Sequence, residues 1–355
     1  MSKGIAGLTN IGNTCYGNAT LQAIRHQVDL TIYILQNQHE DILKKKPSSE
    51  KTKLLESYAS LLKNLWTAPD SVSTVSTRDF WATMIPAAIK EGFAQFRIAA
   101  PHDSHEFLVF LLDQFHEALC EEVTMTIRQG IKKPDSMGAL EFWKSSFEKK
   151  YSPLVELLFF LRRKAVICSQ CKNESVSWET LNITKLCVKK DSTDLLELMK
   201  DDCKGEEIDE YHCLKCPKRV KATVSYAYWR LGNWVIITLK RNENNGQKIT
   251  ANVNIPKQLT FNTLFHPSSE EASATATYEL FSTIEHHGSS RGGHYTSHAK
   301  HPITGKWIFY DDECGVEVPD VRINSSVYTV MYRKVTEKKS DTPAPAPAPA
   351  PAAEA

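Results

Sequence analysis

The 355-residue chain carries 43 Lys and Arg against 42 Asp and Glu, a formal net charge of +1. This balance argues against a general binder of nucleic acid or membrane surfaces, because such binding needs an excess of positive charge. A hydrophobic content of 41% and a charged content of 24% are typical of a globular protein. The length allows about two average domains or one large domain.

The sequence also predicts where the protein resides. The longest apolar run, residues 154–161, is too short to cross a membrane and contains Glu156. The amino terminus lacks the charged-then-apolar pattern of an export signal. We therefore expect a cytoplasmic or nuclear protein whose nine cysteines stay reduced. Those cysteines would act as free thiols or metal ligands rather than as a disulfide framework.

The first distinctive stretch, residues 7–22, contains Cys15. Gly, Asn and Thr residues crowd the positions before Cys15, which predicts a tight loop. Helical spacing of apolar residues after it predicts a helix over residues 13–37, capped by Asn13 or Thr14. Backbone N–H groups at a helix start lower the pKa of a thiol there. Cys15 is therefore a candidate nucleophile, although most free cysteines are simply small buried side chains.

Periodicity predicts the elements that follow. Residues 50–66 place their leucines on one helical stripe, and a shorter helix is expected from Thr77 through Ile89. Residues 120–150 are polar and interrupted by glycine and proline, so we expect a loop with short helices. Beyond them the pattern changes to short strands. The apolar run 234–240 predicts a central strand that is covered on both faces.

A further helix is predicted to begin at Asp103 or Ser104, either of which can cap it. The polar groups around this start could be mistaken for a metal site. However, His102 and His105 are three residues apart, whereas a two-histidine zinc helix needs a spacing of four. We therefore do not predict a metal here.

Two Cys-x-x-Cys pairs give a strong metal signal. Cys168 and Cys171 form the first pair, and Cys213 and Cys216 form the second. Four thiolates in two such pairs satisfy tetrahedral Zn²⁺. The 41 residues between the pairs exceed a minimal zinc ribbon and must hold strands of their own. We predict a structural zinc site; the alternative is a relic site whose cysteines merely pack. The remaining cysteines carry no comparable signal: Cys120, Cys187, Cys203 and Cys314.

A candidate base for Cys15 lies far downstream. Strand-like runs flank the turn signal Pro302–Gly305. A hairpin centred between residues 303 and 304 would place residue 313 opposite His294. Asp311 would then share the face of His294 and could orient its imidazole, whereas Asp312 would point away.

The choice of base has one rival. His298 has the same strand parity as His294. Gly292 and Gly293 favour His294, because a substrate backbone can approach closely where side chains are absent.

The stretches around Cys15 and His294 resemble the Cys and His boxes of the ubiquitin-specific proteases, thiol hydrolases that remove ubiquitin from proteins. The likeness covers roughly residues 5–335, with the boxes in the same order. It implies an α+β, papain-like catalytic domain over residues 1–335, with zinc-tipped β fingers inserted. The implied parts are a helical thumb (about 5–150), the fingers (about 160–230), an antiparallel β palm (about 231–335) and, outside the domain, a disordered Pro/Ala-rich tail (336–355).

The resemblance also assigns roles. It implies that Cys15 is the nucleophile, His294 the base and Asp311 the group that orients the base. Asn10, five residues before the cysteine, matches the residue that supplies a side-chain donor to the oxyanion hole. Such a donor stabilises the negative charge that develops during acyl transfer.

Substrate contacts are implied in the same way. Asp103 and Glu106 match acidic positions that line the channel for ubiquitin's arginine-containing tail, and Gly293 and Tyr295 match the border of the same channel. Pro101 stands where the family often has glutamine, so one hydrogen bond to the tail is absent from the pattern.

The resemblance also predicts partners: ubiquitin and ubiquitinated proteins, with a regulatory protein as a further candidate. Residues 191–210 hold nine acidic residues against two lysines. This segment is either a solvated face or a surface complementary to a basic patch on ubiquitin.

Two alternatives compete with a deubiquitinating enzyme. A papain-like protease acting on ordinary peptides would usually place its histidine about 130–150 residues after the cysteine. Here 279 residues separate Cys15 from His294, which disfavours that alternative. The second is a ubiquitin-binding module that has lost catalysis. The presence of all the proposed triad members argues against it.

Overall fold

The computed structural model describes residues 4–69, 71–96, 100–127, 130–131, 133–242, 246–273, 276–289 and 292–335. The predicted Pro/Ala-rich tail lies outside the described residues.

Helices dominate the first half of the chain. They pack around buried aromatic side chains such as Tyr16, Trp81 and Phe107. Within the described residues the α-helices are α1 (Cys15–Ile24), α2 (Val28–Leu35), α3 (Glu40–Leu43), α4 (Glu50–Thr67), α5 (Arg78–Lys90), α6 (Ser104–Leu119), α7 (Pro134–Phe147), α8 (Pro153–Leu158) and α9 (Leu195–Lys204).

Two predictions about helices were wrong. The single helix expected over residues 13–37 is divided into α1 and α2, because the side chain of Gln27 accepts a hydrogen bond from the Leu30 N–H and starts a new helix. The expected loop over 120–150 contains the 14-residue helix α7. Proline at its first position is compatible with helix initiation, and its buried Trp143 stabilises it by packing.

Strands form most of the second half. In the described residues they are β1 (Gly7–Leu8), β2 (Thr74–Val75), β3 (Phe160–Cys168), β4 (Glu174–Leu181), β5 (Thr184–Cys187), β6 (Glu207–Tyr211), β7 (Val220–Arg230), β8 (Trp234–Lys240), β9 (Gln258–Thr260), β10 (Thr277–Ser289), β11 (Gly292–Lys300), β12 (Trp307–Asp311), β13 (Cys314–Val318) and β14 (Val327–Lys334).

The described strands form a large and a small sheet, besides the short β1–β2 pair. The large sheet has the order β13-β12-β11-β10-β14-β8-β5, with β9 beside β10, and the small sheet has the order β4-β3-β7-β6. The predicted central strand is confirmed, because β8 is buried along six of its seven residues. The large sheet is not wholly antiparallel, since β5 pairs with β8 in parallel. Thus β5, from the segment assigned to the fingers, joins the large sheet.

The hairpin that carries His294 has the predicted register. Ser297 pairs with Tyr310 and His298 pairs with Phe309, which centres the hairpin between residues 303 and 304. The turn therefore brings Asp311 back toward the start of β11, where His294 lies.

A buried arginine joins the helical half to the large sheet. Arg25 is fully buried, and its guanidinium donates to the Gly4 carbonyl and to the hydroxyl of Tyr310, both at 2.8 Å. Its charge also lies 5.2 Å from the Trp66 ring and 5.0 Å from the Tyr310 ring, within cation–π range. These contacts tie the end of α1 to β12, and so fix the helix that begins at Cys15 relative to the hairpin.

Among the described residues, we find no helix that is both long and apolar enough to cross a bilayer.

Candidate active site and metal site

The loop before Cys15 is built around the side chain of Asn10. Its Oδ1 accepts hydrogen bonds from the backbone N–H groups of Gly12 (2.9 Å) and Thr14 (3.2 Å). The Thr14 hydroxyl donates to the same oxygen at 3.1 Å. Thr14 occupies the N-cap position of α1, but its side chain forms no cap hydrogen bond. These hydrogen bonds orient the Asn10 amide, since its oxygen faces the three donors and its nitrogen points away from them.

Asp312 accepts a hydrogen bond from that nitrogen. Asn10 Nδ2 donates to Asp312 Oδ2 at 2.8 Å, and Asn18 Nδ2 donates to Oδ1 at 2.7 Å. Asn18 lies one turn into α1 and is buried. Asp312 therefore connects the loop before Cys15, helix α1 and the β12–β13 turn.

The prediction that Asp312 points away from His294 was wrong. Its backbone has φ +45°, which ends the alternation of strand faces at Asp311. Carboxylate oxygens of Asp311 and Asp312 and a ring nitrogen of His294 all lie within 4.8 Å of one another. Asp312 is thus a neighbour of His294 as well as the partner of two asparagines.

His294 and Asp311 form the closest contact of the site. The distance from His294 Nε2 to Asp311 Oδ1 is 2.6 Å, and both side chains are about half exposed. If Nε2 donates to the carboxylate, Nδ1 carries the free lone pair and can accept a proton. The predicted proximity of Asp311 to His294 is confirmed.

Cys15 begins α1 and is 6% exposed. Contrary to expectation, the pKa of its thiol is raised. Burial is the main cause and the negative charge of Asp312 adds to it, whereas backbone hydrogen bonding at Tyr295 acts in the opposite direction. Within the described part of the chain no hydrogen bond joins Cys15 to His294. The thiol is therefore protonated at neutral pH in this arrangement.

The rival base lies elsewhere. His298 is buried, and its Nδ1 is 3.1 Å from Glu285 Oε1. Thr296 also donates to Glu285, at 3.2 Å. His298 therefore belongs to a buried polar network in the sheet, and no hydrogen bond joins it to Cys15 among the described residues.

A cleft of about 180 Å³ borders Cys15, and we call it the tail cleft. Asp103 lines it and also caps α6 by accepting from the His105 N–H at 2.7 Å. Both Asp103 oxygens accept from the Tyr328 hydroxyl, at 2.9 and 2.7 Å. Burial, followed by the charge of Asp103, raises the pKa of Tyr328, which keeps the hydroxyl protonated as a donor.

The other predicted substrate residues divide into two groups. Gly293 and Tyr295 line the tail cleft with Asp103. Glu106 is exposed in the first turn of α6 and is not among the described residues that line the cleft. Gly293 and Tyr295 are therefore brought close to Cys15, whereas Glu106 lies outside the cleft.

Gly293 is required by the packing of the sheet. A Cβ at this position would lie 2.0 Å from the carbonyl oxygen of His287, which precedes Gly288, the residue on β10 that pairs with Gly293. A Cβ at Gly292 would meet nothing within 4 Å. The open space that we expected beside His294 therefore lies at Gly292, while Gly293 permits close strand pairing.

Two basic side chains also line the tail cleft, and their hydrogen bonds are largely directed to the protein itself. Arg241 donates to the carbonyls of Val327 (2.8 Å) and Ala251 (2.7 Å). Lys248 donates to the carbonyl of His286 at 2.6 Å. Burial and the charge of Lys248 lower the pKa of His286 to about 4, so its ring is neutral at pH 7.

The four predicted metal ligands come together at one end of the small sheet. The Sγ–Sγ distance is 3.8 Å for Cys168 and Cys216 and 3.5 Å for Cys171 and Cys213, and all four sulfurs lie within 4.8 Å of one another. Tetrahedral Zn²⁺ with Zn–S bonds of about 2.3 Å requires sulfurs about 3.8 Å apart. The donor set therefore fits a metal ion such as zinc.

A comparison with models of known protein families decides the family of this chain. The model of the ubiquitin carboxyl-terminal hydrolase family matches residues 6–332. The chain belongs to this family.

Curated relatives in the family are moderately similar. Ubiquitin carboxyl-terminal hydrolase Usp2 of Drosophila melanogaster is 29% identical over 350 residues, which cover 94% of this chain and 35% of that protein. Human ubiquitin carboxyl-terminal hydrolase 2 is 26% identical over 346 residues, covering 93% of this chain and 55% of that protein. The chain spans between about a third and about half of the length of these relatives.

Solved structures share the fold. A chain of the Ubp8/Sgf11/Sus1/Sgf73 SAGA DUB module bound to monoubiquitin aligns with a TM-score of 0.72 at 18% identity, covering 94% of this chain and 70% of that chain. The same module bound to ubiquitin aldehyde aligns with a TM-score of 0.70, also at 18% identity, over 94% of this chain and 70% of that chain. At such identities the likeness shows the fold alone.

Sequence reasoning overlooked several groups in this member of the hydrolase family. Asn18, Tyr328 and Lys248 were not singled out, and Asp312 was set aside. Asn18 follows Cys15 by three residues, a spacing that places the two side chains on the same face of a helix, so the sequence could have indicated it. Tyr328 and Lys248 reach the site only through the fold, since they come from elements distant in sequence from both boxes.

Proposed function

We propose that this chain is a deubiquitinating thiol hydrolase that cleaves the isopeptide or peptide bond after the C-terminal glycine of ubiquitin. The observation that carries the proposal is the 2.6 Å contact between His294 and Asp311 beside the helix that begins at Cys15, in a chain of the ubiquitin carboxyl-terminal hydrolase family. The activity, substrate and partners of this chain are proposals, because the chain spans only part of the length of its relatives.

Nucleophilic catalysis would begin with a proton transfer. His294 Nδ1 accepts the Cys15 proton while Asp311 holds Nε2–H and stabilises the imidazolium. The thiolate attacks the carbonyl carbon of the terminal glycine. His294 then gives the proton to the leaving nitrogen, which departs as an amine and leaves a thioester. Water, deprotonated by His294, hydrolyses the thioester and releases the ubiquitin carboxylate.

The raised pKa of Cys15 sets a condition on this step. Because the thiol is protonated and has no hydrogen bond to His294 among the described residues, the two groups must approach each other before attack. Ordering of the site by bound substrate would supply that approach, as it does where catalytic hydrogen bonds tighten in the substrate complex.

Asn10 supports stabilisation of the oxyanion. One N–H of its amide is held by Asp312, and the amide has a second N–H that can donate to developing negative charge. Since Oδ1 is held by the loop, this donor is oriented before the substrate arrives. Preorganised donors of this kind are worth about 10²–10³ in turnover.

The tail cleft supports recognition of an extended, flexible peptide end. Gly292 lines the tail cleft and carries no side chain, so the backbone of an extended substrate can approach there. Asp103 carries lone pairs beyond those used by Tyr328 and can pair with an arginine upstream of that end. Glu106, at the exposed start of α6, is proposed to act further along the same tail.

We also propose that the four-cysteine site holds one structural Zn²⁺. All four ligands come from the protein, so the site has no open position for catalysis. The ion would fix the ends of β3 and of the β6–β7 connection, and thereby the small sheet. A cytoplasmic or nuclear location and a regulatory protein partner remain predictions from the sequence.

The function is tested with ubiquitin carrying a C-terminal aminomethylcoumarin amide, whose cleavage releases a fluorophore. We expect turnover by the unmodified chain and none by Cys15→Ala, with binding of ubiquitin retained in the variant. Ubiquitin binding without turnover by the unmodified chain would instead favour the inactive binding module.

A further inference from the structure

A groove of about 840 Å³ opens beside the proposed catalytic residues, distinct from the tail cleft. Asn10, Asp311 and Asp312 line this groove, whereas Cys15 lines the tail cleft. The proposed catalytic groups therefore separate two concave surfaces. An enzyme that cuts a bond between two protein chains has a use for both, one for each side of the bond.

The positions of Cys15 and Asn10 indicate which half of the substrate lies on which side. The acyl half must present its carbonyl carbon to Cys15, and so occupies the tail cleft. Asn10, the proposed donor to the oxygen of that carbonyl, lines the groove instead. The chain attached to the leaving nitrogen continues from the carbonyl carbon away from the acyl half, and so departs toward the groove.

The walls of the groove differ in character. Apolar side chains, among them Ile5 and the 37% exposed Val72, form part of the lining. The turn 311–315 forms another part. Its acids Asp311 and Asp312 are engaged with the catalytic groups, whereas Glu313 is exposed and takes part in no ion pair among the described residues. This combination suits a peptide with an apolar residue and a nearby cation.

The turn 311–315, the acidic wall of the groove, is held by hydrogen bonds from neighbouring residues. The Leu8 N–H donates to the Asp312 carbonyl at 2.7 Å, and the Thr74 hydroxyl donates to the Glu313 carbonyl at 3.0 Å. The wall is therefore fixed before an occupant arrives, which lowers the entropic cost of binding.

We propose that this groove is the acceptor-side binding site of the enzyme. Its occupant is the peptide segment that flanks the ubiquitin-bearing lysine, and segments with Lys or Arg beside that lysine are preferred because of Glu313. This inference rests on the proposed function and deepens it by naming the class of substrate on the leaving side of the bond.

The test compares three substrates of the full chain. Two are ubiquitin joined through its C-terminus to the lysine side chain of short peptides that differ only in flanking Arg or flanking Glu residues. The third is the coumarin amide, which has no acceptor peptide. We expect kcat/KM to favour the Arg-flanked conjugate by about two- to fivefold, the range of an exposed ion pair. Glu313→Lys should abolish or reverse this preference.

A second variant tests the apolar wall. Val72→Arg places a long, charged side chain in the groove. It should lower kcat/KM for the Arg-flanked conjugate by roughly five- to tenfold relative to the coumarin amide. The loss has two causes, since the apolar contact with the substrate is removed and the new arginine repels the arginines of the substrate. Ile89→Arg is the matched control, because Ile89 is a 45% exposed apolar residue on α5 that does not line the groove. It should change the same ratio by less than about twofold.

The outcomes separate the two proposals. If the coumarin amide is cleaved but flanking charge has no effect, and neither Glu313→Lys nor Val72→Arg changes the ratio, the acceptor-side assignment is overturned and the proposed function stands. If the unmodified chain cleaves none of the three substrates, both are overturned.

Discussion

Replacing two adjacent aspartates separates the two halves of the proposed catalytic site. Asp311 lies 2.6 Å from His294, whereas Asp312 accepts from Asn10 at 2.8 Å and from Asn18 at 2.7 Å. Asp311→Asn removes the charge that stabilises the imidazolium and can reverse the ring's tautomer. Turnover should fall by roughly 10³–10⁴-fold, as it does when other triads lose this group.

Asp312→Asn should cost less and act differently. It loosens the Asn10 amide, whose complete removal is worth about 10²–10³ in turnover. Because Asn10 keeps its bonds to Gly12 and Thr14, we expect a loss of about 10- to 100-fold. The substitution also removes a negative charge that raises the pKa of Cys15, so that pKa should fall.

Two assays read these effects. The first is kcat/KM on the coumarin amide. It is measured for the single variants Asp311→Asn, Asp312→Asn and Asn10→Ala, and for the double variant that combines Asn10→Ala with Asp312→Asn. The two losses should not add, because both act on one donor. The second is the rate of Cys15 alkylation by iodoacetamide against pH, followed by mass spectrometry of the Cys15 peptide. Since deprotonation makes the thiol reactive, the midpoint should shift to lower pH in Asp312→Asn.

The reasoning is refuted if Asp312→Asn costs as much as Asp311→Asn, or if the losses in the double variant simply add. The first result would mean that turnover depends on Asp312 as much as on Asp311.

Three further predictions concern the metal site, the tail cleft and the sheet. Elemental analysis should find one zinc per chain, and a strong chelator should lower the melting temperature; zinc-free protein with all four thiols freely alkylated would contradict this. Asp103→Ala should weaken use of the coumarin amide by roughly one to two powers of ten. Arg→Ala changes in the ubiquitin tail should then add little, and additive losses would mean that Asp103 does not touch the tail. Gly293→Ala should destabilise the chain by about 1–3 kcal/mol in urea unfolding because its Cβ meets the His287 carbonyl, whereas Gly292→Ala should leave stability nearly unchanged; equal effects would contradict the strand packing.

Local sequence patterns predicted the parts of the site that depend on short-range geometry. The turn signal at Pro302–Gly305 was sufficient to set the β11–β12 register, and with it the contact between His294 and Asp311. Cys-x-x-Cys spacing likewise predicted the four-cysteine cluster, because each pair is formed by one tight turn.

Features that depend on long-range packing were not predictable in this way. The role of Asp312 follows from its positive φ and from two asparagines nearly 300 residues away in sequence. The raised pKa of Cys15 reflects burial by the folded chain, which outweighs the local N–H groups that the sequence reveals. Helix α7 forms where glycine and proline suggested a loop, since its aromatic side chains pack against the neighbouring strands.

The measurement that tests the central claim most directly is the reaction of the chain with ubiquitin whose C-terminus bears a thiol-reactive electrophile. We predict one covalent adduct per chain, with the mass of one ubiquitin, attached at Cys15 when the digested adduct is sequenced by mass spectrometry. Cys15→Ala should form none, although eight other cysteines remain. An adduct that persists in Cys15→Ala, or no adduct with the unmodified chain, would contradict the assignment of Cys15 as the nucleophile of a deubiquitinating enzyme.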